Sequence, residues 1–130
     1  MELIYQGKTK DLCRDEEGNY KFFFKDSVTG KDGVFDTGEN QVGLTIPGSG
    51  RSCVLLSQHF FEEFEAKGIP THYIDADVQE KTMTIKKATP FGKGLEVICR
   101  YKAVGSFIRR YGLYAEDGMD LGGYVECDTL

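Results

Sequence analysis

Residues 51–68, RSCVLLSQHFFEEFEAKG, carry the clearest helical period in the chain, and the residues around them fall into short alternating runs broken by glycine. Leu56, Phe60 and Phe64 recur at four-residue spacing together with Cys53, while Glu62, Glu63 and Lys67 fall on the side left for water. Gly68 and Pro70 stop the period, so the expected helix covers about 51–67. One main helix among many short strands points to an α+β fold, an antiparallel β-sheet lobe built around that helix.

The flanking runs place the strands. LIYQGKTKDLC alternates, breaks at Gly7 and resumes, which reads as a strand with a turn or bulge. EEGN is a hairpin turn and YKFFFKD the returning strand. THYIDADV and TMTIKKATPF are two further strands with a turn near QEKT. Residues 26–50 are rich in glycine and poor in periodicity, and read as a long loop ending in GSG. FGKG links to LEVICRYKAVGSFIRRYG, and LGGYVECDTL begins another strand with no closing cap or helix, as in the front part of something longer.

Composition narrows the class. A chain of 130 residues with 40% hydrophobic and 28% charged side chains is one ordinary globular domain or a piece of one. A net charge of −5 argues against a nucleic-acid partner, whose binding rests on a basic surface. No run reaches the roughly twenty apolar residues that span a bilayer, and MELIYQGKTK lacks the order of a signal peptide, so no membrane partner and a cytoplasmic address are expected. Cys13, Cys53, Cys99 and Cys127 are widely spread, and His59 and His72 stand alone, which fits reduced core thiols better than a zinc site.

The stretch LEVICRYKAVGSFIRRYG raises the chemical question. On a strand, Leu95, Val97, Cys99 and Tyr101 line one face, which can pack on a core, and Glu96, Ile98, Arg100 and Lys102 line the other. Gly105 permits a turn, Ser106 suits a helix N-cap, and Gly112 can end the helix. Arg100, the Ser106 hydroxyl and Arg109 or Arg110 then form a candidate phosphate pocket at a helix start. A half-buried edge strand with a solvated polar face fits the same pattern. Near the amino terminus, Lys8 and Lys10 on a strand would project from one face and suit a polyphosphate, although composition alone favours two solvated lysines. Lys25 and Asp26 can pair at a strand end, Asp32 and Asp36 suit turns, and GSGR can cradle an anion at the start of the main helix.

Taken in order, YQGKTKDL, FKDSVTGKDG, GIPTHYI and LEVICRYKAVGSFIRRYG resemble the SAICAR synthetase family of purine biosynthesis across nearly all 130 residues. Glu96, Arg100, Gly105 and Ser106 match a signature of that family, followed by Arg109 and Arg110 at its basic pair. Gly94 stands where many members have proline, Val104 where they have alanine or threonine, and GSGRSCVLL lacks their lysine and asparagines.

The resemblance implies an ATP- and Mg²⁺-dependent ligase joining L-aspartate to 5-aminoimidazole-4-carboxyribonucleotide. It implies a β-rich ATP-binding lobe over residues 1–92 and the start of a substrate-binding lobe over 93–130. Lys8 and Lys10 would hold ATP phosphates, with Lys86, Lys87 and Ala88, on the strand leading to the link, along the adenine. Glu96 would approach Mg²⁺ or the substrate carboxylate as a catalytic group. Arg100, also catalytic, would bind the ribonucleotide with Ser106 and Arg110. The family's Asp-x-Lys-x-Glu carboxylates belong to a C-terminal half beyond these residues, so the chain resembles about the first half of an enzyme. A homodimer fits this picture, and a non-catalytic nucleotide-binding or interaction module derived from the same fold is the alternative.

Overall fold

The computed structural model describes residues 1–129 and divides into two compact units, Met1–Ala88 and Thr89–Leu130. In the first unit, β1 (Glu2–Gln6) and β2 (Lys10–Arg14) pair as an antiparallel hairpin closed by Gly7 N–H donating to the Lys10 carbonyl at 3.1 Å. The amino-terminal run is thus two strands. Lys8 lies in the turn between them and only Lys10 is on a strand, so the two lysines do not share a strand face.

β3 (Tyr20–Phe24) pairs with β2, and β8 (Thr82–Ile85) and β7 (Tyr73–Asp77) complete a five-stranded sheet in the order β1-β2-β3-β8-β7. Lys86, Lys87 and Ala88 follow β8; its ladder ends at Ile85, one residue before the lysine pair.

The expected long loop carries three strands, β4 (Ser27–Lys31), β5 (Val34–Phe35) and β6 (Val42–Thr45), in the order β5-β4-β6. These runs are too short to show alternation, and glycine serves close approach there. A β-carbon on Gly43 would stand 2.4 Å from the Gly30 Cα.

Helix α1 (Ser49–Ala66) packs on β3, β7 and β8. Its end is a Schellman closure: Gly68 has φ 70°, its N–H reaches the Glu65 carbonyl, and Ile69 N–H reaches that of Phe64, both at 2.9 Å. The face it buries differs from the expected one. Val54 is fully buried, and Ser57 and Phe61 are half-buried, whereas Cys53, Leu56, Phe60 and Phe64 are exposed. Val54 joins Phe24, Tyr73, Met83 and Ile85 in the core, with Phe61 stacked on Tyr73 at 5.3 Å between ring centres. The helix carries two apolar stripes, and the sheet takes the smaller one because it lets the backbone come close. Gly50 on that side leaves no room for a β-carbon beside Lys25 and Asp26.

The second unit is a ribbon of β9 (Leu95–Lys102) and β10 (Asp120–Thr129), with α2 (Ser106–Tyr111) between them. Here too the faces are reversed. Leu95, Val97, Cys99 and Tyr101 are exposed, and Val97 and Cys99 lie opposite Cys127 and Val125, so an apolar face is open to solvent. The face bearing Ile98, Arg100 and Glu126 is the more buried, and buried Phe107 of α2 packs against it. Among the described residues, no helix is long and apolar enough to cross a membrane.

Candidate functional site

In the first unit the sheet places Lys10 at the margin of the aromatic core. Its Nζ lies 5.6 Å from the centre of the Phe22 ring and 5.5 Å from that of Phe24, a cation held over two π faces. Phe22 stands edge-on to His72 at 6.4 Å, and the His72 carbonyl accepts the Lys86 N–H at 2.7 Å. Burial, with Lys10 nearby, pushes the His72 imidazole below its usual range. Lys10 and the start of the Lys86–Ala88 segment are thus joined through two ring contacts and one backbone bond. Lys8 points elsewhere and donates to the Asn40 side-chain carbonyl.

Lys10 lines a cavity of about 330 Å³ whose walls include Phe24, Phe35 and Leu56 and whose polar groups include Ser27, Thr29 and Ser49. A larger cavity of about 690 Å³ in the same unit is lined by Asp75, Asp77 and Glu80 with Lys21, a charge balance that repels polyphosphate.

The start of α1 does not offer an open anion cradle. Gly48 at the N-cap has no side chain, and Asp26 fills the place, accepting the Gly50 N–H at 2.9 Å. Backbone hydrogen bonds from Gly50 and Gly48 hold the Asp26 carboxyl below its usual range, with Lys81 assisting at 3.5 Å. Lys25 pairs with Asp11 at 2.7 Å instead of with Asp26. Asp36 accepts the Gly38 N–H at 2.7 Å, a turn role as expected.

The second unit gathers three of the expected site residues. Arg100 donates from one terminal nitrogen to Ser106 Oγ at 2.9 Å and from Nε to Glu126 Oε1 at 2.7 Å. Arg110 donates to the same Glu126 oxygen at 2.6 Å and stands 3.6 Å from Asp128. The Arg100 and Glu126 side chains are only 12% and 11% exposed, and the Phe107 ring lies 5.7 Å from the Arg100 guanidinium. Hydrogen bonding from Arg100 lowers the Glu126 carboxyl against the opposing effect of burial. Ser106 is not the N-cap; that position is Gly105, and the serine side chain serves Arg100 instead.

Glu96 is exposed and lies directly across the ribbon from Asp128. Arg110, 3.6 Å from Asp128, offsets part of the charge that Glu96 meets across the ribbon. Among the described residues no group of three or more His, Cys, Asp or Glu is placed to hold a metal ion. Glu126 and Asp26 are the residues that sequence reasoning missed. Glu126 is one of three carboxylates in β10, with Asp120 and Asp128, and no local pattern singles it out as the partner of Arg100.

Comparison with known proteins bears on the chain's family and fold. The SAICAR synthetase family model matches residues 3–123. The chain is 57% identical over 126 residues to a phosphoribosylaminoimidazole-succinocarboxamide synthase of Clostridium tetani, covering 97% of this chain and 56% of that protein. It is 35% identical over 114 residues to the enzyme of the same name from Finegoldia magna, covering 87% of this chain and 45% of that one. Among solved structures, the Ehrlichia chaffeensis enzyme of that name superposes with a TM-score of 0.75 at 26% identity, over 97% of this chain and 49% of that one. A SAICAR synthetase in complex with ADP superposes with a TM-score of 0.73 at 26% identity, over 95% of this chain and 48% of that one. The chain spans about half the length of the curated relatives it matches.

Proposed function

The chain belongs to the SAICAR synthetase family, and from that premise we propose that it supplies the nucleotide-binding lobe and the start of the substrate lobe of a purine-biosynthesis ligase. The reaction is ATP-dependent joining of L-aspartate to 5-aminoimidazole-4-carboxyribonucleotide. The carboxylate takes the γ-phosphoryl group of ATP, and the aspartate amine then displaces phosphate to leave an amide. Such chemistry asks of a protein mainly position and charge neutralisation.

In this reading Lys10 and Lys8 attract the ATP phosphates, and Lys86, Lys87 and Ala88 border the base. Lys10 is well suited, because its aromatic neighbours hold the ammonium group without neutralising it. Glu96, facing Asp128, is the carboxylate for Mg²⁺, which would neutralise phosphate charge when bound. Arg100, Ser106 and Arg110 take the ribonucleotide anion.

The single observation that carries this reading is the Arg100–Ser106 bond. Because Arg100 donates to Ser106 Oγ, the serine's own proton is turned away and available to a ligand oxygen. Arg100 keeps further N–H donors for the same ligand, since a guanidinium has five. Isothermal titration of wild type and Arg100→Ala with the ribonucleotide and with ATP·Mg²⁺ tests it. Ribonucleotide binding should be lost in the variant while nucleotide binding persists; equal ribonucleotide affinity in both proteins refutes the assignment. The 130 residues alone should turn over poorly beside a full-length family member, since the Asp-x-Lys-x-Glu carboxylates are absent from them.

A further inference from the structure

The geometry points to Glu126 as a positioning residue that fixes Arg100, and through it the Ser106 hydroxyl, in the orientation an anionic ligand requires. This rests on the reading that Arg100 and Ser106 receive the ribonucleotide. One carboxylate oxygen of Glu126 accepts from both arginines, at 2.7 Å from Arg100 and 2.6 Å from Arg110. β10 delivers that oxygen at a defined height, because its ladder with β9 pairs Glu126 with Ile98 and Tyr124 with Arg100. The Arg100 guanidinium lies over the Phe107 ring at 5.7 Å, and Tyr124 packs on Phe107 at 5.9 Å. Glu126 therefore occupies the Nε edge of Arg100, Ser106 takes one terminal nitrogen and the Phe107 ring lies against the guanidinium, which leaves few rotamers open to the arginine.

Two physical effects of Glu126 oppose each other. Its charge offsets the arginines and so lowers the local attraction for an anion. Its hydrogen bonds remove the conformational freedom that Arg100 would otherwise lose on binding. If charge dominates, removing the carboxylate tightens anion binding; if positioning dominates, removal weakens it. Arg100 is nearly enclosed and its bond to Glu126 is short and charge-assisted, so positioning is the larger effect. The sign of the change tells the two apart.

The experiment compares wild type, Glu126→Asp and Glu126→Gln of the whole chain by isothermal titration with the ribonucleotide, with Arg100→Ala alongside. Asp keeps the charge but falls one methylene short of the shared oxygen position; Gln keeps the reach and loses the charge. Both variants should bind about tenfold more weakly, the equivalent of losing one charge-assisted hydrogen bond. A second readout needs no ligand. In a nitrogen–proton correlation spectrum the Arg100 Nε–H should exchange slowly in wild type, unlike that of exposed Arg51, and quickly in both variants. If Gln does not fold, the Asp variant and the wild-type exchange rate decide. Unchanged or tighter binding in Glu126→Asp or in a folded Glu126→Gln, or fast wild-type exchange at Arg100, overturns the inference while a loss in Arg100→Ala leaves the functional reading standing. Undiminished binding in Arg100→Ala, or none in wild type, overturns both.

Discussion

Asp26 follows β3 and accepts the backbone N–H of Gly50, 24 positions further along, so one carboxylate ties the sheet to the start of the helix. Its lowered pKa gives the sign of its effect. A carboxyl that ionises more readily folded than unfolded adds stability above its unfolded value, and that contribution is lost as pH falls through the folded value. Glu126, lowered by Arg100 and Arg110, acts in the same direction. So does His72, kept neutral by burial beside Lys10, whose contribution begins to fade below about pH 6.5. Acid unfolding followed by circular dichroism should therefore show stability falling steadily below neutrality. Asp26→Asn should melt lower at pH 7 and show a flatter acid dependence than wild type. Identical profiles would mean the Asp26 bond contributes nothing. From the sequence this aspartate was legible only as a neighbour of Lys25, because its true partners lie in the backbone of a distant segment.

For α1 and β9, existence was legible and orientation was not. The helical period announces α1, and the glycine that stops it stands where expected. The same period holds two apolar stripes, Cys53–Leu56–Phe60–Phe64 and Val54–Phe61, and nothing local says which one meets the sheet. Substitution separates them. Val54→Ala should cost about 2 kcal/mol in denaturant unfolding, from lost transfer energy and a cavity. Phe60→Gln should change the unfolding free energy by no more than about 0.5 kcal/mol, as surface changes do. Equal costs would return the core to the longer stripe. β9 fails in the same way for a different reason. Alternation marks its charged face as the wet one, but Phe107 and the Arg100–Glu126 pair cover that face, a pairing between residues 26 positions apart. The strands within residues 26–50 escaped notice because each is five residues or fewer and the ladder between β4 and β6 is interrupted by a register shift.

For the whole molecule, the clearest physical division follows Ala88. Lys86, Lys87 and Lys93 are exposed, lie in no strand or helix, and bracket the boundary. Brief trypsin digestion should cut here before it cuts within β2, β3 or α1, leaving a fragment of the first unit that keeps its helical signal. Early cleavage at Arg14 or Lys21 would show that the five-stranded sheet is not the stable part. The candidate residues of each unit were legible as chemistry because lysine and arginine declare themselves in a sequence. Their supports, aromatic rings under Lys10 and a carboxylate behind Arg100, are neighbours only in three dimensions. The open face of the β9–β10 ribbon, with Val97, Tyr101 and Val125 on it, bears on how the chain is handled in solution. Contacts made through such a face gain strength with warmth and fade on chilling, so solutions of this chain should scatter more light at room temperature than on ice, and clear again when cooled.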